Sequence, residues 1–232
     1  VIKMRADSCL SFAVQTLPDI AALRRLYALP HDLSDFEVAE YAFQRQRVKT
    51  GHADLPAHLC QIRQIVLLAY AAEGGFTLQS FAAPALSESL ILQKASQALG
   101  CFKGQVSYWD EGGLLPLLRC RVHAQVLGPQ AGQEPLLPRQ DWLDLAQACG
   151  VAGINLREFS IAMPGLLPDS FVLAPNDDPW RLWLARKYDT DLILGVQVAV
   201  LSHYALLRHQ LVMGCIDTEQ YQTRGQQLAR LI

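Results

Sequence analysis

The chain has no C-x-x-C pair and no cysteine and histidine grouped at zinc spacing. Its six cysteines (Cys9, Cys60, Cys101, Cys120, Cys149 and Cys215) stand singly, which excludes the small zinc-stapled and disulfide-stapled classes. Buried free thiols in a reducing cytoplasm are the expected state, and the expected location is cytoplasmic. An excess of charge of one sign is missing too. Lysine and arginine number 20 against 22 acidic residues, a net charge of -2, so a polyanion is attracted only where a local patch permits it. The segment VIKMRADSCLSFAVQ has basic residues but no apolar core region, and no secretory signal is expected. The most apolar stretch, Leu192 to Leu201, carries Gln197 and is followed by Ser202 and His203. It reads as a core helix and not as a bilayer span, so no membrane partner is expected. Internal repeats and low-complexity tracts are absent.

What is present is the composition of a compact core: 51% hydrophobic and 18% charged residues in a chain of 232, enough for one large α/β domain without staples. Cys9 to Val14 is a short apolar run leaving through Thr16-Leu17-Pro18-Asp19 and predicts a buried strand. Asp19 as a cap and the Ser34/Glu37 capping-box spacing predict a helical insertion over about residues 19–50. Gln61 to Tyr70, Gly74-Gly75 and Phe76 to Phe81 read as a β-hairpin. Ser87 to Leu99 has helical spacing, Gly104 to Trp109 reads as a strand, and a helix is expected around Leu115 to Val126. Helical patterns follow at Trp142 to Ala148 and Leu156 to Ile161. The final helical part covers about residues 178–232, with a long helix from about Tyr188 to Met213 and a last one from Thr218. This order predicts a mixed sheet of about five strands, the first strand central, with helices on both faces.

Four segments carry chemistry when taken together: Phe12-Ala13-Val14-Gln15-Thr16-Leu17-Pro18-Asp19, Leu55-Pro56-Ala57-His58-Leu59, Ser107-Tyr108-Trp109 through Leu115-Pro116, and Tyr188-Asp189-Thr190-Asp191. In their order they resemble the predicted 3′ to 5′ exonucleases related to the exonuclease domain of DNA polymerase B, of the ribonuclease H-like DEDD superfamily. The resemblance spans roughly Phe12 to Tyr221. It implies a ribonuclease H-like fold and two-metal hydrolysis, in which carboxylates hold two Mg²⁺ or Mn²⁺ ions roughly 4 Å apart.

Carried over by position, the first-strand aspartate of that family falls on Ala13 and its glutamate on Gln15. The second aspartate falls on Leu114, the water-positioning tyrosine on Lys187, and the last aspartate on Asp191. Three of the four carboxylates are replaced. The resemblance thus implies the fold without efficient nuclease chemistry: a degenerate exonuclease-like module for single-stranded nucleic acid or a protein partner. No cofactor is expected, and Mg²⁺ or Mn²⁺ only with residual activity, held weakly by Asp191. Asp191 also sits where helix capping and dipole energetics favour an acid, and Lys187 is expected to set an ammonium beside it. Gln15, Tyr108, Trp109 and Arg119 are the candidate nucleic-acid contacts. Trp109 is expected to fill the vacated metal pocket beside Leu114, and Gln15 to pair with backbone. Arg45, Arg47, Lys49, Arg119 and Arg121 form either a phosphate track or a solvated face. Two alternatives stand: an active exonuclease with a displaced site built from Asp141, Asp144 and Asp191, and a purely structural or oligomerisation module.

Overall fold

The structure, a computed structural model, describes residues 8–111, 113–125, 142–168, 171–175 and 178–231. Its five strands are β1 (Ser8–Pro18), β2 (Cys60–Ala71), β3 (Gly75–Ala82), β4 (Gln105–Tyr108) and β5 (Leu143–Asp144). They lie in the order β3-β2-β1-β4-β5, so β1 is central. β1 runs antiparallel to β2 and parallel to β4, while β3 pairs antiparallel with β2 and β5 parallel with β4. The chain is therefore α/β with a mixed five-stranded sheet, as the sequence predicts. The Pro129 to Arg139 loop and Asp141 lie outside the described residues.

Period-two alternation divides the apolar residues between two cores. Leu10, Phe12 and Leu67 point to α3 (Glu88–Cys101) and α4 (Leu114–Ala124). Cys9, Ala13, Val66, Leu68 and Tyr70 point to the other face, where α8 (Tyr188–Val212) lies across the sheet. That helix is long and apolar enough to cross a membrane by length and composition, and 72% of its apolar window is buried inside the protein. Besides the sheet, α5 (Leu145–Ala148), α6 (Leu156–Ala162), α7 (Pro179–Leu184) and α9 (Thr218–Ala229) pack against it.

After β1, Asp19 caps α1 (Ile20–Tyr27) by accepting from the Ala22 amide at 2.9 Å. Ser34 and Glu37 close a capping box on α2 (Asp35–Thr50). The expected helix from Trp142 to Ala148 is divided: Leu143–Asp144 extends the sheet as β5, and Asp144 then caps α5 from its own side chain. A strand of two residues is too short to reveal a period of two, whereas its pairing with Ser107 and Tyr108 fixes it in the fold.

Glu88 ties the two halves of one core together. Its carboxylate accepts from the Ile62 amide at 2.6 Å and from Arg121 Nε at 2.8 Å, and Arg121 Nη1 reaches Asp19 Oδ2 at 2.9 Å. Arg121 is thus consumed inside the fold at 6% exposure and belongs to no phosphate track.

Candidate functional site

Sheet geometry brings together three of the positions that the resemblance marks. Ala13 and Gln15 lie two apart on β1, and Leu114 opens α4 directly after the β4 turn. All three line one cleft of about 910 Å³. Trp109, Asp110 and Glu111 bound it after β4, and Gln197, Leu201 and Ser202 of α8 form its far wall. Asp191 does not line this cleft; its connection to Gln15 runs through a residue that the motif reading missed.

That residue is Arg63. The pairing of β1 with β2 slips between Gln15 and Thr16: Gln15 faces Gln64, Thr16 faces Ile62, and Arg63 is the extra residue. A β-bulge of this kind breaks the alternation of side chains and re-aims one of them. Here Ile62 stays with the α3 core while Arg63 and Gln64 both turn toward α8. Gln64 Nε2 donates to Ser80 Oγ at 2.9 Å and to the Leu192 carbonyl at 3.2 Å. A side-chain carbon on Gly195 would meet the Gln64 amide oxygen at 2.0 Å, so glycine is what lets α8 approach at this point.

Arg63 forms an ion pair with Asp191, and the two side chains are 2% and 0% exposed. Its other terminal nitrogen donates to Gln15 Oε1 at 2.5 Å, and its guanidinium carbon lies 5.8 Å from the centre of the Trp183 ring. Burial lowers its pKa to about 10, which leaves it cationic near neutral pH. Asp191 therefore serves neither as a helix cap nor as a partner of Lys187. The backbone carbonyl of Lys187 accepts the Asp191 amide at 3.2 Å, while the Lys187 side chain is exposed. Gln15 likewise bonds a side chain and not the backbone expected for it. In the sequence, the signal was two adjacent polar residues, Arg63-Gln64, inside an otherwise apolar strand.

A hard divalent ion requires several anionic oxygens. Ala13 and Leu114 carry none, Gln15 presents a neutral oxygen already bonded to Arg63, and Asp191 is paired with the same guanidinium. This donor set does not fit the two-ion site that the resemblance implies.

The remaining candidates separate. Trp109 is 8% exposed, donates Nε1–H to the Ile154 carbonyl at 2.9 Å and packs on Phe159 with ring centres 4.8 Å apart. It belongs to the α8 core, whereas Leu114 sits at the edge of the α3 core; they share the cleft but not a packing cluster. Tyr108 is 5% exposed and turned to the opposite face, beside Trp142. Neither aromatic presents the exposed stacking face expected of a base contact. Arg119 is exposed on α4 away from the cleft lining, and Arg45 lies 5.0 Å from the centre of the Tyr27 ring. Asp144 caps α5 by accepting from the Gln147 amide at 3.1 Å. Among the described residues no three histidine, cysteine, aspartate or glutamate side chains cluster in a way that could hold a metal ion.

A second polar group lies deeper. His203 Nδ1 and Ser11 Oγ are 2.9 Å apart, and Cys9 Sγ is 3.9 Å from Nε2. A serine beside a histidine is the pairing of a nucleophile and its base, but all three residues are 0% exposed and no substrate reaches them. Burial, with the Arg224 cation adding to it, lowers the His203 pKa to about 3, and burial raises the Cys9 thiol to about 11. Both are neutral core groups. Of the six cysteines only Cys9 is buried; Cys101 is exposed and the others are half-buried, which corrects the expectation of buried thiols throughout. Comparison of the chain with protein-family models, with curated proteins and with solved structures returns no match.

Proposed function

We propose that this chain is a degenerate 3′ to 5′ exonuclease-like protein of ribonuclease H-like fold, catalytically inactive, which acts as a nucleic-acid- or protein-binding module through the cleft beside Ala13. The single observation that carries the reading is the Arg63–Asp191 ion pair with Gln15 attached to it. In a two-metal nuclease the carboxylates at these places are balanced by divalent ions; here a guanidinium supplies the positive charge from within the chain. The central antiparallel β1–β2 pair, with parallel β4 on the other side of β1, supports the ribonuclease H-like assignment. No Mg²⁺ or Mn²⁺ is required, and the proposed location is cytoplasmic.

The displaced-site alternative is weakened by the same geometry, because Asp191 is paired and Asp144 is engaged as a cap. The test is incubation of end-labelled single-stranded DNA and RNA with the unmodified protein in Mg²⁺ or Mn²⁺. The expected outcome is intact oligonucleotide over hours. Metal-dependent trimming from the 3′ end that disappears in Asp191→Ala would overturn the inactive reading.

A further inference from the structure

The sheet ends differently on its two sides. β5 is two residues long, whereas β3 at the other edge runs for eight residues, Gly75–Ala82. An open strand edge offers a row of unpaired N–H and C=O groups, which proteins blunt with short length, charge, proline or a covering element. Among the described residues none of these protects β3. No residue from Gly74 to Ser87 is charged, and Pro84 lies beyond the strand. Helices α3 and α9 reach β3, yet the residues from Thr77 to Ser80 stay exposed, Leu78 among them.

Strand pairing decides which backbone groups are open. In an antiparallel pair, residues alternate between those bonded to the neighbouring strand and those turned away from it. The Ala83 amide donates to the Arg63 carbonyl at 2.9 Å, in the same register that sets Phe81 against Ile65, Gln79 against Leu67 and Thr77 against Ala69. Those residues of β3 bond to β2, so Phe76, Leu78 and Ser80 turn their N–H and C=O groups outward. Among the described residues no strand receives them. Their side chains share the α8 face of the sheet: Phe76 packs beside His203, and Ser80 accepts from Gln64, which also donates to the Leu192 carbonyl. What such an edge accepts is an extended strand.

We propose that this strand is β3 of a second copy of the chain, running antiparallel about a two-fold axis that passes through Leu78 perpendicular to the sheet. Such an axis keeps each face of the sheet on its own side, so it opposes the outward-turned residues with one another. It sets Leu78 against its own copy, Phe76 against Ser80 and Thr77 against Gln79. The exposed apolar side chain then meets an apolar one, Thr77 meets another polar group, and about six backbone hydrogen bonds close. Glu73, the last charged residue before the strand, falls opposite Ala83, so no like charges meet. The result is one sheet continuous across two chains. No residue of β3 lines the cleft beside Ala13, so the dimer goes beyond the binding reading of that cleft and stands or falls apart from it.

The experiment is sedimentation equilibrium of the full chain over about 1–100 μM, with hydrogen exchange of the β3 peptide followed over the same range. Two variants report on the axis. Leu78→Lys and Leu78→Glu change a side chain that is 36% exposed, and each places like charges directly opposite one another in the dimer. The unmodified chain is expected to sediment at twice the mass of one chain, with exchange in β3 slowing as the dimer fills. Each charged variant is expected to weaken the dimer about tenfold or more, and their equimolar mixture to regain it, because lysine then faces glutamate. Recovery in the mixture also shows that each variant is folded. A monomer throughout the range, a dimer indifferent to both variants, or a mixture no tighter than its components would overturn the proposal.

Discussion

Arg63→Met is expected to destabilise the protein by about 3–5 kcal/mol, because it leaves the Asp191 carboxylate charged, 0% exposed and without its counter-ion. The loss is expected to grow as pH rises, since a lone carboxylate in that position is relieved only by taking up a proton. Asp191→Leu alone strands the guanidinium in the same way and is expected to cost about as much. The double variant Arg63→Met/Asp191→Leu is the informative one. Two apolar side chains of similar size meeting in place of a buried pair are often neutral or stabilising, so urea unfolding is expected to recover most of the loss. If each single variant cost less than about 1 kcal/mol, the pair would be behaving as a solvated surface bridge, and its burial would carry no energetic weight.

The second large effect concerns acid. His203 is fully buried and its pKa lies at about 3 in the folded protein against 6.5 in the unfolded chain. Between those values the unfolded chain binds a proton that the folded protein does not, so stability falls as pH falls through this window. The slope approaches about 1.4 kcal/mol for each pH unit, a total of several kcal/mol. The groups that face the ring allow no rescue: Ser11 from β1 is neutral, the Cys9 thiol stays protonated, Phe76 stands nearly perpendicular to it with ring centres 5.1 Å apart, and the Arg224 cation of α9 opposes a second positive charge. His209, half-buried with a pKa lowered by burial, adds a smaller contribution of the same sign. His203→Asn keeps a polar partner for Ser11 but does not titrate. It is expected to be less stable than the parent near neutral pH and to show a much flatter acid limb when urea midpoints are followed downward in pH. An unchanged limb in the variant would place the acid sensitivity elsewhere.

Local chemistry made most of the fold legible. Asp19, Ser34 and Ser87 start helices where their side chains reach free amides, and the alternation in Phe76 to Phe81 gives a strand. β5 was not legible: two residues carry no period, and only the neighbouring β4 makes them a strand. Ala13, Gln15 and Leu114 were legible as positions that share one cleft, but the pair formed by Arg63 and Asp191 was not. Arg63 stands far from Asp191 in sequence, and the contact depends on a one-residue slip between β1 and β2 that no spacing rule announces. Lys187, adjacent to the motif, was the obvious cation and the wrong one, because the first turn of α8 leaves its side chain exposed while β2 lies directly against Asp191. Tyr108 and Trp109 show the same limit. Adjacent residues at the end of a strand face opposite sides of the sheet, and which side opens to a cleft is decided by α8.

The most direct test of the proposal that Arg63 takes the place of metal is a Mn²⁺ titration followed by calorimetry and by the electron paramagnetic resonance of the free ion. The unmodified protein is expected to leave the free-ion signal undiminished. A variant with Ala13→Asp, Gln15→Glu and Leu114→Asp is expected to bind weakly, and at least tenfold more tightly once Arg63→Met is added, since the ion then no longer competes with a fixed guanidinium for Asp191. Stoichiometric, micromolar Mn²⁺ binding by the unmodified protein, lost in Asp191→Asn, would contradict it.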